Sequence, residues 1–132
     1  MLKILLVDDE RLVRRSLEKT LLRAGFDVLA AADCNAGLET FQDAAAAGSP
    51  IDLAVLDLNM PDFDGQPDPE AGLNLLARLR EQNPDLKVIV LTAYDEITKA
   101  RGAVERGATA YFVKGREQGL VELIQKLTGP EA

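Results

Sequence analysis

Histidine is absent from the 132 residues and cysteine occurs once, at Cys34. One thiol cannot close a disulfide within the chain, so no disulfide framework of the secreted kind is available, and Cys34 reads as a small packing residue. With no imidazole and no spaced thiols, a metal site would have to be built from oxygen, which favours a hard ion such as Mg²⁺ over Zn²⁺. Positive charge is also short: 15 Lys and Arg stand against 22 Asp and Glu, a formal net charge of −7. Such a balance offers a polyanion no electrostatic attraction, so direct nucleic-acid binding is not expected. Long apolar runs are missing too. The run Ile4–Val7 is too short for a signal segment or a membrane span, so the expectation is a cytoplasmic protein with no membrane partner. Internal repeats are absent. What remains, 47% hydrophobic and 28% charged residues, is the composition of an ordinary globular chain long enough for one core.

Short aliphatic or β-branched runs recur at Ile4–Val7, Val28–Ala31, Leu53–Leu56, Val88–Leu91 and Tyr111–Val113, each too short for a helix. Helical spacing lies between them, as in Leu12, Ser16, Leu17 and Leu21 of Arg11–Ala24 and in Leu73, Leu76 and Leu79 of Leu73–Gln82. Gly25 and Gly107 stand where helices end, Pro84 follows the third helix, Asp95 is placed to cap the fourth, and Ala44–Ala47 reads as a helix end. Strands alternating with helices of this length predict right-handed crossovers, hence an α/β fold with a doubly wound parallel sheet and helices on both faces. Strands apolar on both faces agree with that burial. The stretch Pro61–Gly72, with three prolines and four acids, predicts a long loop, and Gly129–Ala132 reads as a tail or the start of a linker.

Each apolar run gives way to a polar residue: Asp8-Asp9 after the first, Asp57 after the third, Thr92 after the fourth and Lys114 after the fifth. Singly, each has an ordinary explanation, because a chain leaving the core turns polar wherever a strand stops. Together they converge, since strand C-termini of an open parallel sheet share one edge and ligands bind in the crevice beyond it. Three carboxylates in one crevice repel one another unless a cation sits among them. A Mg²⁺ held by few carboxylates usually carries a phosphate, and Lys114 and Thr92 suit phosphate oxygens. Phosphoryl chemistry is the natural reading.

The joint set of Asp8-Asp9, Leu56-Asp57-Leu58-Asn59-Met60-Pro61, Thr92-Ala93 and Tyr111-Phe112-Val113-Lys114 resembles the response regulator receiver domains of two-component systems, over about residues 1–128. The resemblance implies a flavodoxin-like five-stranded sheet of order 2-1-3-4-5. It implies that Asp57 accepts a phosphoryl group from a sensor histidine kinase, a phosphotransfer protein or a small donor such as acetyl phosphate. Mg²⁺ would be held by Asp8, Asp9, Asp57 and the backbone carbonyl of Asn59, with Lys114 and Thr92 as further catalytic groups on the phosphoryl oxygens. Thr92 and Tyr111 would form the switch that changes the surface of the fourth helix, fifth strand and fifth helix, read by an output partner or effector domain. Homodimerisation on phosphorylation is one such outcome. The side chains at Asn59 and Tyr94 would tune hydrolysis. On this reading the chain catalyses its own phosphorylation and dephosphorylation without being a conventional turnover enzyme. A degenerate receiver that works without phosphorylation is the alternative, and the intact acidic set argues against it.

Apart from the resemblance, several residues have plainer readings. Tyr111 suits an amphipathic strand, Asn59 a turn, and Glu10 a first-turn charge at a helix N-terminus. Asp62, Asp64, Asp68 and Glu70 suggest a calcium loop, but Pro67 stands where an EF-hand beginning at Asp62 needs glycine. A flavin-binding protein would cradle phosphate with small residues, whereas Asp8-Asp9-Glu10 repels it. An aspartyl-phosphate hydrolase would carry Asp-x-Asp on its first strand, which is absent. Two features depart from the receiver pattern. Gly115 replaces the proline that usually follows the lysine through a cis bond, and either Gly65 or Gly72 matches the glycine after Pro61, leaving about seven extra residues. A cis bond costs ~3–4 kcal/mol without proline and about 0.5–1 with it, so a trans Lys114–Gly115 bond is expected, with Lys114 still reaching the crevice.

Overall fold

The computed structural model describes residues 2–129. The five apolar runs form β1 (Lys3–Val7), β2 (Asp27–Ala31), β3 (Leu53–Asp57), β4 (Lys87–Thr92) and β5 (Ala110–Val113). They pair in parallel in the order β2-β1-β3-β4-β5. The helices are α1 (Arg11–Arg23), α2 (Cys34–Ala46), α3 (Ala71–Gln82), α4 (Ile97–Glu105) and α5 (Glu117–Thr128). Side chains alternate across a strand, so each strand feeds two cores. Leu5, Val7, Leu56 and Val90 face Phe41 of α2, Leu75 of α3 and Ala103 of α4. Ile4, Leu6, Val55 and Ile89 face Leu17 and Leu21 of α1 and Leu120 and Ile124 of α5. The expected doubly wound sheet is therefore present in the expected order.

Local chemistry sets the helix ends. Gly25, at φ 95°, lets its N–H reach Leu22 O at 3.0 Å while Phe26 N–H reaches Leu21 O at 3.2 Å, which closes α1. Gly107, at φ 119°, ends α4 in the same way, with Ala108 N–H bonded to Ala103 O at 3.0 Å. Asp33 caps α2 by accepting from Ala36 N–H at 2.7 Å. The alanine run ends α2 as expected, with Ala47 at its C-cap.

Three local expectations are corrected. Asp95 does not cap α4. It lies inside a 3₁₀ turn, Tyr94–Glu96, and Glu96 occupies the cap position without a side-chain bond to the helix. Leu12 is not on the buried face of α1 but is 80% exposed, because the helix turns Leu17 and Leu21 inward. Pro61–Gly72 is not all loop: Met60–Pro61 pairs antiparallel with Pro67–Asp68, and α3 begins at Ala71. Asp62 shapes that hairpin, its Oδ1 accepting from Asp64 and Gln66 N–H at 2.9 Å each. The expected tail falls on residues 130–132, outside the described residues, and on Gly129 just after α5.

Gly72 brings α3 against the end of β3. A Cβ there would lie 2.7 Å from both the Asp57 carbonyl oxygen and Leu58 Cα, and backbone atoms cannot rotate away. Gly72→Ala is therefore expected to destabilise the chain. Overpacking costs about 3 kcal/mol and the better helix propensity of alanine offsets about 1, which leaves a net loss of about 2 kcal/mol. Urea unfolding measures it, and an unchanged midpoint would show that the close approach is not a constraint.

Candidate functional site

Among the described residues, the buried polar or charged side chains are Asp8, Asp57 and Thr92, at 0%, 2% and 1% exposure. All three lie at the C-terminal edge of the sheet: Asp8 directly after β1, Asp57 closing β3 beside Leu91, and Thr92 closing β4 beside Val113. Burying such groups is costly unless they are paired. Their concentration at one edge therefore marks a site rather than scattered strand ends.

The two buried carboxylates are held alike. Asp8 Oδ1 accepts from Glu10 N–H at 2.9 Å, and Asp57 Oδ1 accepts from Asn59 N–H at 3.2 Å, so each uses one oxygen to fix its own turn. The other oxygen of each, Oδ2, is buried with no hydrogen-bond partner and lies 3.3 Å from the Lys114 ammonium. Lys114 is positioned from β5 through its own N–H, which donates to Thr92 O at 2.9 Å. The peptide bonds of the described residues are all trans, including Lys114–Gly115, and Gly115 adopts φ 114°. The lysine thus reaches both carboxylates without the proline, as expected.

Asp9 is exposed, yet it offers an oxygen within 4.8 Å of ligand atoms from Asp8 and Asp57. The donor set is all carboxylate and includes two buried oxygens that share a single lysine, which fits a hard divalent cation. Burial, reinforced by the charge of Asp8, pushes the Asp57 carboxyl up to about 7, against the opposing pull of Lys114 and the Asn59 N–H. Burial also works against the charge on Lys114, but its bond to Glu10 and the attraction of Asp57 and Asp8 outweigh it and hold the ammonium above its ordinary value. Lys114 therefore stays charged beside a carboxyl that is only partly ionised at neutral pH.

The remaining expected residues sit around this centre in different states. The Thr92 hydroxyl is turned to backbone carbonyls, Ala93 O at 3.1 Å and Glu96 O at 3.2 Å. Tyr111 is half-buried against the core under α4, while Tyr94 is 82% exposed. Both line a groove of about 560 Å³ that also takes in Ile97 and Lys114. Asn59 is exposed, its amide donating to the Glu96 carboxylate and its oxygen accepting from Lys99 Nζ at 3.0 Å. Cys34 behaves as packing: burial pushes its thiol up to about 11, and its Sγ lies 3.6 Å from Ala71 O.

Sequence reading missed three groups. Glu10 is more than a first-turn charge, because its Oε1 receives the Lys114 ammonium at 2.9 Å. Its place directly after Asp8-Asp9 was the available signal. Arg14 donates to Asp8 O at 2.8 Å and holds the end of β1. Glu96 and Lys99 carry no motif and meet Asn59 only through the fold.

The chain resembles known proteins over nearly its whole length. The family model described as response regulator receiver domain matches residues 4–127. The chain is 34% identical to the response regulator protein FleR of Pseudomonas aeruginosa, covering 94% of this chain and 24% of that one. It is 37% identical to the response regulator MprA of Mycobacterium avium, covering 86% and 44% respectively. It thus spans less than half the length of these relatives. Among solved structures, a response regulator receiver domain protein from Clostridium thermocellum superposes with a TM-score of 0.81 at 28% identity, covering 96% of this chain and 93% of that one. TrrA from Thermotoga maritima, solved in complex with Mg²⁺–BeF, gives a TM-score of 0.75 at 31% identity, covering 96% and 99%.

Proposed function

The chain belongs to the response regulator receiver domain family, which serves phosphorylation-dependent signalling in two-component systems, and on that premise we propose that it takes a phosphoryl group onto Asp57. The observation that carries this reading is the pair of buried carboxylates, Asp8 and Asp57, whose Oδ2 atoms share one lysine at 3.3 Å. One ammonium shared between two buried carboxylates leaves excess negative charge at this edge, which suits a cation and a phosphoryl group arriving with it.

The donor is a sensor histidine kinase, a phosphotransfer protein or acetyl phosphate. An ionised Asp57 oxygen attacks phosphorus, the bond to the donor nitrogen or oxygen breaks, and an acyl phosphate forms. Asp8, Asp9, Asp57 and the Asn59 carbonyl would hold Mg²⁺, a reading supported by the acidic cluster and by the Mg²⁺–BeF complex of TrrA. Bound there, Mg²⁺ would offset the charge of the carboxylates and of the transferring oxygens. Lys114 moves from its three carboxylates toward the phosphoryl oxygens and holds them. Thr92 leaves the Ala93 and Glu96 carbonyls to donate to one of those oxygens, and Tyr111 follows inward, altering the α4–β5–α5 surface read by an output partner or effector domain. Dimerisation through that surface is one readout. Catalysis is confined to the chain's own phosphorylation and dephosphorylation. Residues 1–128 form the receiver and 129–132 the tail or start of a linker.

Further expectations are that the protein works in the cytoplasm and binds no nucleic acid directly, the latter supported by its net charge of −7. No helix of the described residues is long and apolar enough to cross a membrane. Intact mass after acetyl phosphate treatment tests the reading: one phosphoryl group is gained with Mg²⁺ and none in excess chelator. Lifetime supplies a second check. Tyr94 follows Thr92 by two residues at the site mouth, so Tyr94→Ala is expected to shorten the acyl-phosphate half-life by admitting water, and an equal or longer half-life would count against shielding.

A further inference from the structure

Glu96 holds the site from two sides. Its backbone carbonyl accepts from the Thr92 hydroxyl at 3.2 Å, and its side-chain carboxylate accepts from the Asn59 amide. Lys99 Nζ, 3.0 Å from Asn59 Oδ1, fixes that amide with its NH₂ toward Glu96. Asn59 in turn donates its N–H to Asp57 Oδ1. The two arms therefore join the phosphoacceptor turn to the switch hydroxyl through one residue at the start of α4. Glu96 stands at the N-cap of α4 and, like Glu10 and Glu70 at the N-caps of α1 and α3, makes no capping bond, so its carboxylate is free to reach across to Asn59.

We propose that Glu96 is a positioning residue that latches the unphosphorylated conformation, holding Asn59 with its carboxylate while its carbonyl holds Thr92 away from Asp57. The inference rests on phosphoryl transfer to Asp57, because Thr92 must abandon the Glu96 carbonyl to reach a phosphoryl oxygen. Anything that keeps the Tyr94–Glu96 turn tied to Asn59 keeps that carbonyl in place. Releasing the side-chain arm lets the turn move and raises the share of molecules ready to accept the group.

Removing Glu96 also deletes a negative charge near an incoming phosphate, so two substitutions are needed. Glu96→Gln removes the charge but keeps an oxygen that can accept from Asn59, whereas Glu96→Ala removes both. Initial rates of phosphoryl uptake from acetyl phosphate in saturating Mg²⁺ are read by intact mass on the full chain. The latch predicts that Glu96→Ala is about fivefold faster than wild type, the worth of one ordinary hydrogen bond, with Glu96→Gln within about twofold of wild type. Equal acceleration of both variants would reduce the effect to charge and overturn the latch, as would no acceleration of Glu96→Ala. A second readout does not depend on turnover. In the unphosphorylated protein the Thr92 amide resonance of Glu96→Ala moves toward its phosphorylated position while that of Glu96→Gln stays with wild type, and coincident resonances for all three contradict the latch. A wild type that takes up phosphoryl normally, with equal rates in all three proteins, removes the latch alone. A wild type that takes up nothing removes the phosphoacceptor reading and the latch with it.

Discussion

Mg²⁺ at a hundredfold excess over its dissociation constant is expected to raise the melting temperature of this chain by about 10 °C. Ligand held only by the folded state at that excess contributes about 2.7 kcal/mol. For a domain of this length, each kcal/mol shifts the transition by roughly 3–5 °C. The source of the effect is visible in the site: Asp8 and Asp57 each leave a buried oxygen without a hydrogen bond, and one lysine serves both.

The same strain gives the metal-free protein a pH dependence of defined sign. The Asp57 carboxyl stands near 7 in the folded chain against an ordinary 3.8, chiefly through burial and then through Asp8. Between those values the folded state binds more protons than the unfolded state, so stability falls as pH rises across that window. Asp57→Asn abolishes this term. In chelator at pH 7.5 the variant is expected to be more stable than wild type by on the order of 1–3 kcal/mol, the cost of an unsatisfied buried group, and the gap closes toward pH 5. Mg²⁺ reverses the ranking, because the variant has lost a ligand. Thermal melts of both proteins from pH 5 to 8, with chelator and with Mg²⁺, check each sign, and parallel curves would contradict a strained acidic centre.

How far the sequence could be read follows the range of the interactions involved. The five strands were legible because parallel strands buried on both faces carry uninterrupted apolar runs, and Asp8, Asp57, Thr92 and Lys114 were legible because each follows such a run. Gly25 and Gly107 marked helix ends through a conformation that glycine adopts without strain. The hairpin joining Met60–Pro61 to Pro67–Asp68 was hidden, since its paired segments are two residues long and rich in proline, and turn chemistry there resembles that of any loop. Asp95 misled for a related reason: an acid before an apolar run reads as a cap, and only the 3₁₀ turn moved the helix start past it. The Asn59–Glu96–Lys99 network and the Glu10–Lys114 pair were not legible at all. Their partners lie 37, 40 and 104 residues apart and are joined by the crossovers of the fold rather than by any spacing along the chain.

The second large effect concerns the phosphoacceptor itself. Asp57→Asn keeps the shape of the side chain and removes the ionised oxygen that must attack phosphorus, so phosphoryl uptake is expected to fall to nothing, while Asp8, Thr92 and Lys114 remain in place. Other acids, such as Asp62, Asp64 and Glu70, form no ion pair with a lysine and should not substitute. The decisive measurement is intact mass followed by peptide mapping of wild type and Asp57→Asn after incubation with acetyl phosphate, with Mg²⁺ and with excess chelator. The account predicts one phosphoryl group on wild type, on the peptide containing Asp57, only when Mg²⁺ is present, and none on Asp57→Asn. Equal labelling of the variant, or full labelling of wild type in chelator, would contradict it.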